Sequence, residues 1–153
     1  MKKILVVIVC IFTIMLNTNK MEAKTMEKLI FETGDKAPKY FTGNAYVKML
    51  VTNPDYDCMV YNVTFEPGAR NYWHKHSIGQ ILLVTEGEGY YQEKGKSARL
   101  LHAGDVVEIP ANVVHWHGAS AKSKFIHIGI TPKSGENKVE WLEPVSDEEY
   151  NSL

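Results

Sequence analysis

The chain has 153 residues, 17 basic and 18 acidic, for a formal net charge of −1 at pH 7, and 44% of its residues are hydrophobic. This length suits one domain around a single core, and the near-neutral charge, with no basic patch, excludes the electrostatic footprint of a nucleic-acid binder.

At the N-terminus, Lys2 and Lys3 precede an almost unbroken apolar run at residues 4–16, and Met21-Glu22-Ala23 places a small residue before a cleavage point. That is the pattern of a secretory signal peptide, so residues 1–23 are expected to be removed and the protein exported, periplasmic or secreted. The run is about a dozen residues long, short of the ~20 that a membrane span needs, and Cys10 lacks the small neighbours of a lipoprotein site. Cleavage leaves 14 of the 17 basic and 17 of the 18 acidic residues, a net charge of about −3. Cys58 is then the sole cysteine, so no internal disulfide can form, and its expected role is that of a small buried hydrophobe in a strand.

Residues 24–43 read as an N-terminal arm without a defined conformation. Residues 44–145 are cut by turn residues roughly every ten positions, and the pieces are rich in Val, Ile, Tyr and Thr, which is an all-β pattern. The punctuation runs from Asn53-Pro54-Asp55 and Pro67-Gly68 through Glu86-Gly87-Glu88-Gly89, Lys94-Gly95-Lys96 and Ala103-Gly104-Asp105. It continues at Pro110-Ala111-Asn112, Ala119-Ser120-Ala121-Lys122 and Pro132-Lys133-Ser134-Gly135. Between residues 124 and 131 the side chains alternate, with Phe125, His127 and Gly129 on one face and Ile126, Ile128 and Ile130 on the other. Ile81-Leu82-Leu83-Val84 is apolar on both faces, as expected of a strand inside a two-sheet fold or against a second subunit, and a homodimer is predicted. In the tail, residues 146–153, Ser146 followed by Asp147, Glu148 and Glu149 predicts a capped turn of helix.

All six histidines lie between residues 74 and 127, a clustering that makes metal binding the first chemistry to test. His74 and His76 are two apart, so on a strand they share a face, and His115 and His117 repeat the spacing. Gln80 opens the next strand after a turn at residues 77–79. A hairpin centred near residues 119–122 would pair the His117 strand with the His127 strand and bring those two imidazoles together. Trp73 and Trp116 alternate with the histidines and are expected to face away from the metal, Arg70 reads as a solvated turn residue and His102 as exposed. Gly87-x-Gly89 lacks the third glycine of a dinucleotide fingerprint, and neither a phosphate loop nor a Gly-x-Ser-x-Gly elbow occurs.

Gly68, five residues, His74, His76, three residues, Gln80, six residues and Gly87 resemble the first motif of the cupin superfamily. Gly104, five residues, Pro110 and His115 resemble the second, the two together covering about 48 residues. The resemblance implies a double-stranded β-helix, the cupin jelly-roll barrel, with one divalent transition metal held by His74, His76, Gln80 and His115. Two positions depart from the pattern: Gln80 stands where a glutamate ligand is usual, and Asn112 stands where glycine is common. A neutral amide leaves the metal charge uncompensated, which weakens binding but makes a stronger Lewis acid. Three imidazoles and an amide oxygen suit manganese or iron first, with zinc, nickel or cobalt also compatible.

Val63-Thr64-Phe65-Glu66-Pro67-Gly68-Ala69-Arg70 and His115-Trp116-His117-Gly118-Ala119 are similar to small bacterial cupins that include manganese-dependent hydroxynitrile lyases. That likeness implies His127 as the base, with His117 assisting, acting on a small oxygen-bearing substrate. Two other functions are compatible with a cupin: an iron(II) dioxygenase acting on a phenolic compound, and a non-catalytic module that binds a sugar or another small ligand. Tyr61, Val63 and Thr131 are the candidate determinants of the substrate.

Overall fold

A computed structural model describes residues 29–37, 39–133 and 138–153, so the segment expected to be a signal peptide and the Ser134-Gly135 part of the last turn lie outside the described residues. The strands are β1 (Asp35–Lys36), β2 (Phe41–Thr42), β3 (Ala45–Met49), β4 (Cys58–Phe65), β5 (Arg70–Asn71), β6 (His74–His76) and β7 (Gln80–Glu93). After them come β8 (Arg99–His102), β9 (Val106–Ile109), β10 (His115–Ala119), β11 (Phe125–Pro132), β12 (Val139–Trp141) and one short helix, α1 (Asp147–Asn151). Every pairing among the described strands is antiparallel.

Two sheets curl around one interior. The first follows the order β1-β3-β4-β11-β7, with β9 on the far side of β7. The second follows β7-β10-β5-β2, with β8 also on β7 and β12-β6 on β10. β7 therefore belongs to both: residues 81–87 pair with β11 and residues 89–93 with β10. The crossing falls on Glu86-Gly87-Glu88-Gly89, which composition marks as a turn and the fold uses as a bend within one strand. Gly87 makes the bend possible: its φ is 77°, and a Cβ there would overlap the Lys124 carbonyl.

The interior below the histidines is filled by Val63, Phe65, Leu82, Val84, Leu101 and Phe125, and by neighbours that alternate inward along their strands. Ile81-Leu82-Leu83-Val84 is not buried on both faces. Leu82 and Val84 point inward, Leu83 is half-buried and Ile81 is 38% exposed. Asn112 takes a φ of 63°, which explains how asparagine serves at a glycine position. Cys58 is half-buried at the start of β4, so it is a free thiol rather than a core side chain.

A second cluster lies outside the barrel. Trp73 and Trp116 turn away from the other histidine-bearing face and pack with Val145 and Tyr150 under α1. The helix carries the expected capping box, with Ser146 accepting from the Glu149 amide and the Glu149 side chain accepting from the Ser146 amide. Arg70 departs from expectation. It is buried, its guanidinium donates twice to the Val145 carbonyl and once to Asp147, and it lies 4.5 Å from the centre of the Tyr150 ring.

Candidate metal centre

Three short strand segments bring the predicted residues together. β6 projects His74 and His76 inward, β10 projects His115 and His117, and Gln80 opens β7 beside them. The register places His115 opposite His74, with ring centres 4.2 Å apart, and His76 lies 5.3 Å from His74 and 5.8 Å from His115. All five residues are buried.

Hydrogen bonds fix which atoms face inward. His74 Nδ1 lies 2.9 Å from the Tyr72 carbonyl, and His115 Nδ1 lies 2.9 Å from the Val113 carbonyl. A carbonyl only accepts, so both rings carry hydrogen on Nδ1 and keep the Nε2 lone pair. Gln80 donates its amide N–H to Tyr61 Oη at 2.7 Å, and the Tyr61 and Thr131 hydroxyls share a hydrogen bond at 2.9 Å. The Gln80 Oε1 is thereby turned toward His115 Nε2 at 3.2 Å. Two lone pairs then face each other in a buried site, an arrangement that a cation resolves. Both nitrogens of His76 are buried without a hydrogen-bond partner, which fits a ligand in the same way.

Burial keeps these rings neutral. It lowers His76 to about 4, with the neighbouring His115 adding to the effect, and lowers His115 to about 4 against the opposing pull of the Val113 carbonyl. His74 is held well below its ordinary value by burial and by His115. Neutral imidazole is the form that ligates metal. His74, His115 and His117 also have ligand atoms within 4.8 Å of one another, so geometry alone offers His117 as an alternative ligand to His76.

His117 and His127 do meet, with ring centres 4.7 Å apart and nearly perpendicular. They do not meet across a hairpin. β10 pairs with β5, β6 and β7, whereas β11 pairs with β4 and β7, so residues 120–124 carry the chain from one sheet to the other. The two rings approach through the interior. His127 is fully buried, neither nitrogen has a hydrogen-bond partner, and burial lowers it to about 4. The Ile128 backbone offsets part of that shift without reaching hydrogen-bond geometry. His102 is exposed beside Glu88 and takes no part.

A cavity of about 290 Å³ opens onto His74, His76, Gln80 and His117. Its apolar wall includes Phe41, Val47, Met49, Val63 and Trp141, while Tyr61, Asn71 and Thr131 supply polar groups. His127 lies behind His117 rather than in the wall. Tyr61, Val63 and Thr131 thus take the lining positions expected of them. Asn71 and Trp141 were not anticipated. Asn71 shares a strand with Arg70 in a region read as a turn, and Trp141 reaches the site because β12 pairs with β6 and sets its ring 4.7 Å from that of His74.

Fold and site together define a small antiparallel barrel with a buried, histidine-rich centre open to one cavity. The family model for the cupin domain matches residues 61–128, and the chain belongs to the cupin superfamily. It is 39% identical over 119 residues to a protein of Granulicella tundricola named (R)-mandelonitrile lyase, covering 77% of this chain and 91% of the relative. A cupin-like protein of Thermotoga maritima is 54% identical, with a TM-score of 0.79 over 82% of this chain and 96% of that one. A cupin-2 domain protein of Rhodospirillum rubrum, 15% identical with a TM-score of 0.60 over 75% of this chain and 74% of that one, shares the fold. The chain is a small cupin resembling hydroxynitrile lyase-like proteins, and its histidine cluster fits a metal-dependent member.

Proposed function

We propose that this cupin is a metal-dependent carbon–carbon lyase for a small aryl cyanohydrin or a closely similar α-hydroxy compound. The observation that carries the reading is the facing pair of lone pairs on Gln80 and His115, beside the unpartnered His76, with Gln80 and His76 lining a mostly apolar cavity. The relative named for mandelonitrile supports the substrate class. A divalent metal held by His74, His76, Gln80 and His115 would supply Lewis-acid polarisation of the substrate oxygen.

The chain's own residues account for the rest. Phe41, Met49 and Trp141 form an apolar wall of the right character for an aromatic ring and limit the access of water. In the cleavage direction the hydroxyl gives up its proton and becomes a carbonyl oxygen. The electron pair of the broken carbon–carbon bond leaves with cyanide, which takes up a proton to give hydrogen cyanide. His117 in the cavity wall and His127 behind it are the groups that handle these protons, and both are neutral near pH 7.

The test begins with metal analysis of protein purified without added metal, followed by assay on aryl cyanohydrins. Gln80→Ala and His127→Ala should each lower turnover by roughly 10²-fold or more. Full turnover in both variants would refute the mechanism. Oxygen uptake on phenolic compounds with iron alone would replace it with dioxygenase chemistry, and a ligand bound and returned unchanged would leave a binding module.

A further inference from the structure

Trp141 forms part of the cavity wall, yet its own strand does little to fix the plane of its ring. β12 has three residues and pairs with β6 alone among the described strands. Other rings hold the indole. His74, its partner in the β12–β6 register, lies 4.7 Å away between ring centres, and Phe41 lies 6.0 Å away. Tyr40 stacks parallel to it, 4.9 Å away with 2° between the planes. Exposure falls from 42% at Tyr40, through a half-buried Trp141, to 1% at His74, so the indole stands between the surface and the histidine cluster.

Tyr40 and Phe41 are consecutive, and in an extended strand their side chains would point to opposite faces. Both nevertheless reach the same indole. Tyr40 has a φ of 62°, in the left-handed region that a bulky residue rarely occupies. At that turn its carbonyl accepts the Tyr72 N–H at 2.9 Å, while its ring lies over Trp141. Glycine or asparagine would suit the backbone with less strain, but neither would supply the ring. The strained conformation is what delivers the tyrosine to the indole.

We infer that Tyr40 is a positioning residue that brackets Trp141 together with Phe41 and fixes the indole as the surface on which an aryl group of the substrate rests. Phe41 and Trp141 line the cavity and Tyr40 does not, so Tyr40 acts on a bound molecule only through the indole. The substrate class rests on the proposed lyase function, whereas the bracketing of Trp141 does not.

The bracketing is read by fluorine NMR of the full chain labelled with fluorotryptophan, the Trp141 resonance being assigned by its loss in Trp141→Phe. Tyr40→Gly removes the ring and keeps a residue that favours the turn. It should shift or broaden the Trp141 resonance and leave those of Trp73 and Trp116 in place, and Tyr40→Phe should restore the wild-type spectrum. An unmoved Trp141 resonance in Tyr40→Gly overturns the inference whatever the reaction proves to be. Should that variant fail to fold, Tyr40→Asn, which also tolerates the turn, decides the same point. With manganese-loaded protein, Tyr40→Gly should raise KM for mandelonitrile by roughly 10-fold, the scale of one aromatic contact, and leave KM for acetone cyanohydrin unchanged. Its kcat on both should stay within about two-fold of wild type, and Tyr40→Phe should recover the KM. An equal loss on both substrates, or a loss confined to kcat, would remove the indole as an aryl-binding surface. A wild type inert on both cyanohydrins would refute the lyase reading, and the fluorine spectrum would still decide the role of Tyr40.

Discussion

Gln80 is where a single side chain changes the chemistry most. Its Oε1 is available only because the amide nitrogen is anchored by Tyr61, whose hydroxyl in turn shares a hydrogen bond with Thr131. Outer partners of this kind typically contribute 10–100-fold to metal affinity. Tyr61→Phe should therefore weaken metal binding by roughly 10-fold or more in a chelator competition. Unchanged affinity would mean that the amide is turned the other way, with its NH₂ aimed at His115. Gln80→Glu should bind more tightly than the wild type, because a carboxylate neutralises part of the metal's charge and Tyr61 can donate to it.

Among the elements, β7 and α1 do the most to place the site. β7 carries Gln80 at its start in one sheet and Tyr91, opposite His117, in the other, so its bend at Gly87 sets the angle between the two walls of the cavity. α1 has only five residues, too few to persist alone, and its stability comes from what it packs against. Arg70 fastens it through the Val145 carbonyl, Asp147 and the face of Tyr150, whose hydroxyl donates to Ala119 at 2.7 Å. Asp147 is 84% exposed, so the charge pair itself contributes little. The buried bonds to a carbonyl contribute more. Arg70→Leu should destabilise the fold by about 2–3 kcal/mol in urea unfolding, and Arg70→Lys should not restore it, since an ammonium cannot match the planar fork. An equal midpoint in Arg70→Lys and wild type would show that position 70 needs only a positive charge.

For the whole molecule, the interior is a store of neutral imidazole. Burial lowers His76, His115 and His127 from the usual 6.5 to about 4, and places His74 and His117 well below it. Between about pH 6.5 and 4 the unfolded chain binds more protons than the native one, so stability is fully present above that window and is lost as pH falls through it. The urea midpoint of metal-free protein should drop steadily from pH 7 to pH 4.5, and the metal-loaded protein should fall more steeply as protons compete for its ligands. A midpoint independent of pH would contradict neutral burial of these rings.

The sequence by itself determined the parts that depend on local spacing. Residues two apart share a strand face, so the pairs His74/His76 and His115/His117, the turn of Trp73 and Trp116 away from the histidines and the common face of Phe125 and His127 were all legible before any coordinates. Capping chemistry at Ser146 was equally local. Tertiary structure decided whatever depended on which strands become neighbours. Glu86-Gly87-Glu88-Gly89 has the composition of a turn, yet glycine serves a bend within a strand as readily, and only pairing with both β11 and β10 distinguishes them. Arg70 reads as a surface residue until α1 folds over it, Trp141 enters the cavity only through the pairing of β12 with β6, and His117 reaches His127 across the interior instead of along a hairpin. Period is written into the chain residue by residue, whereas contact between distant segments is settled by the closure of the barrel as a whole.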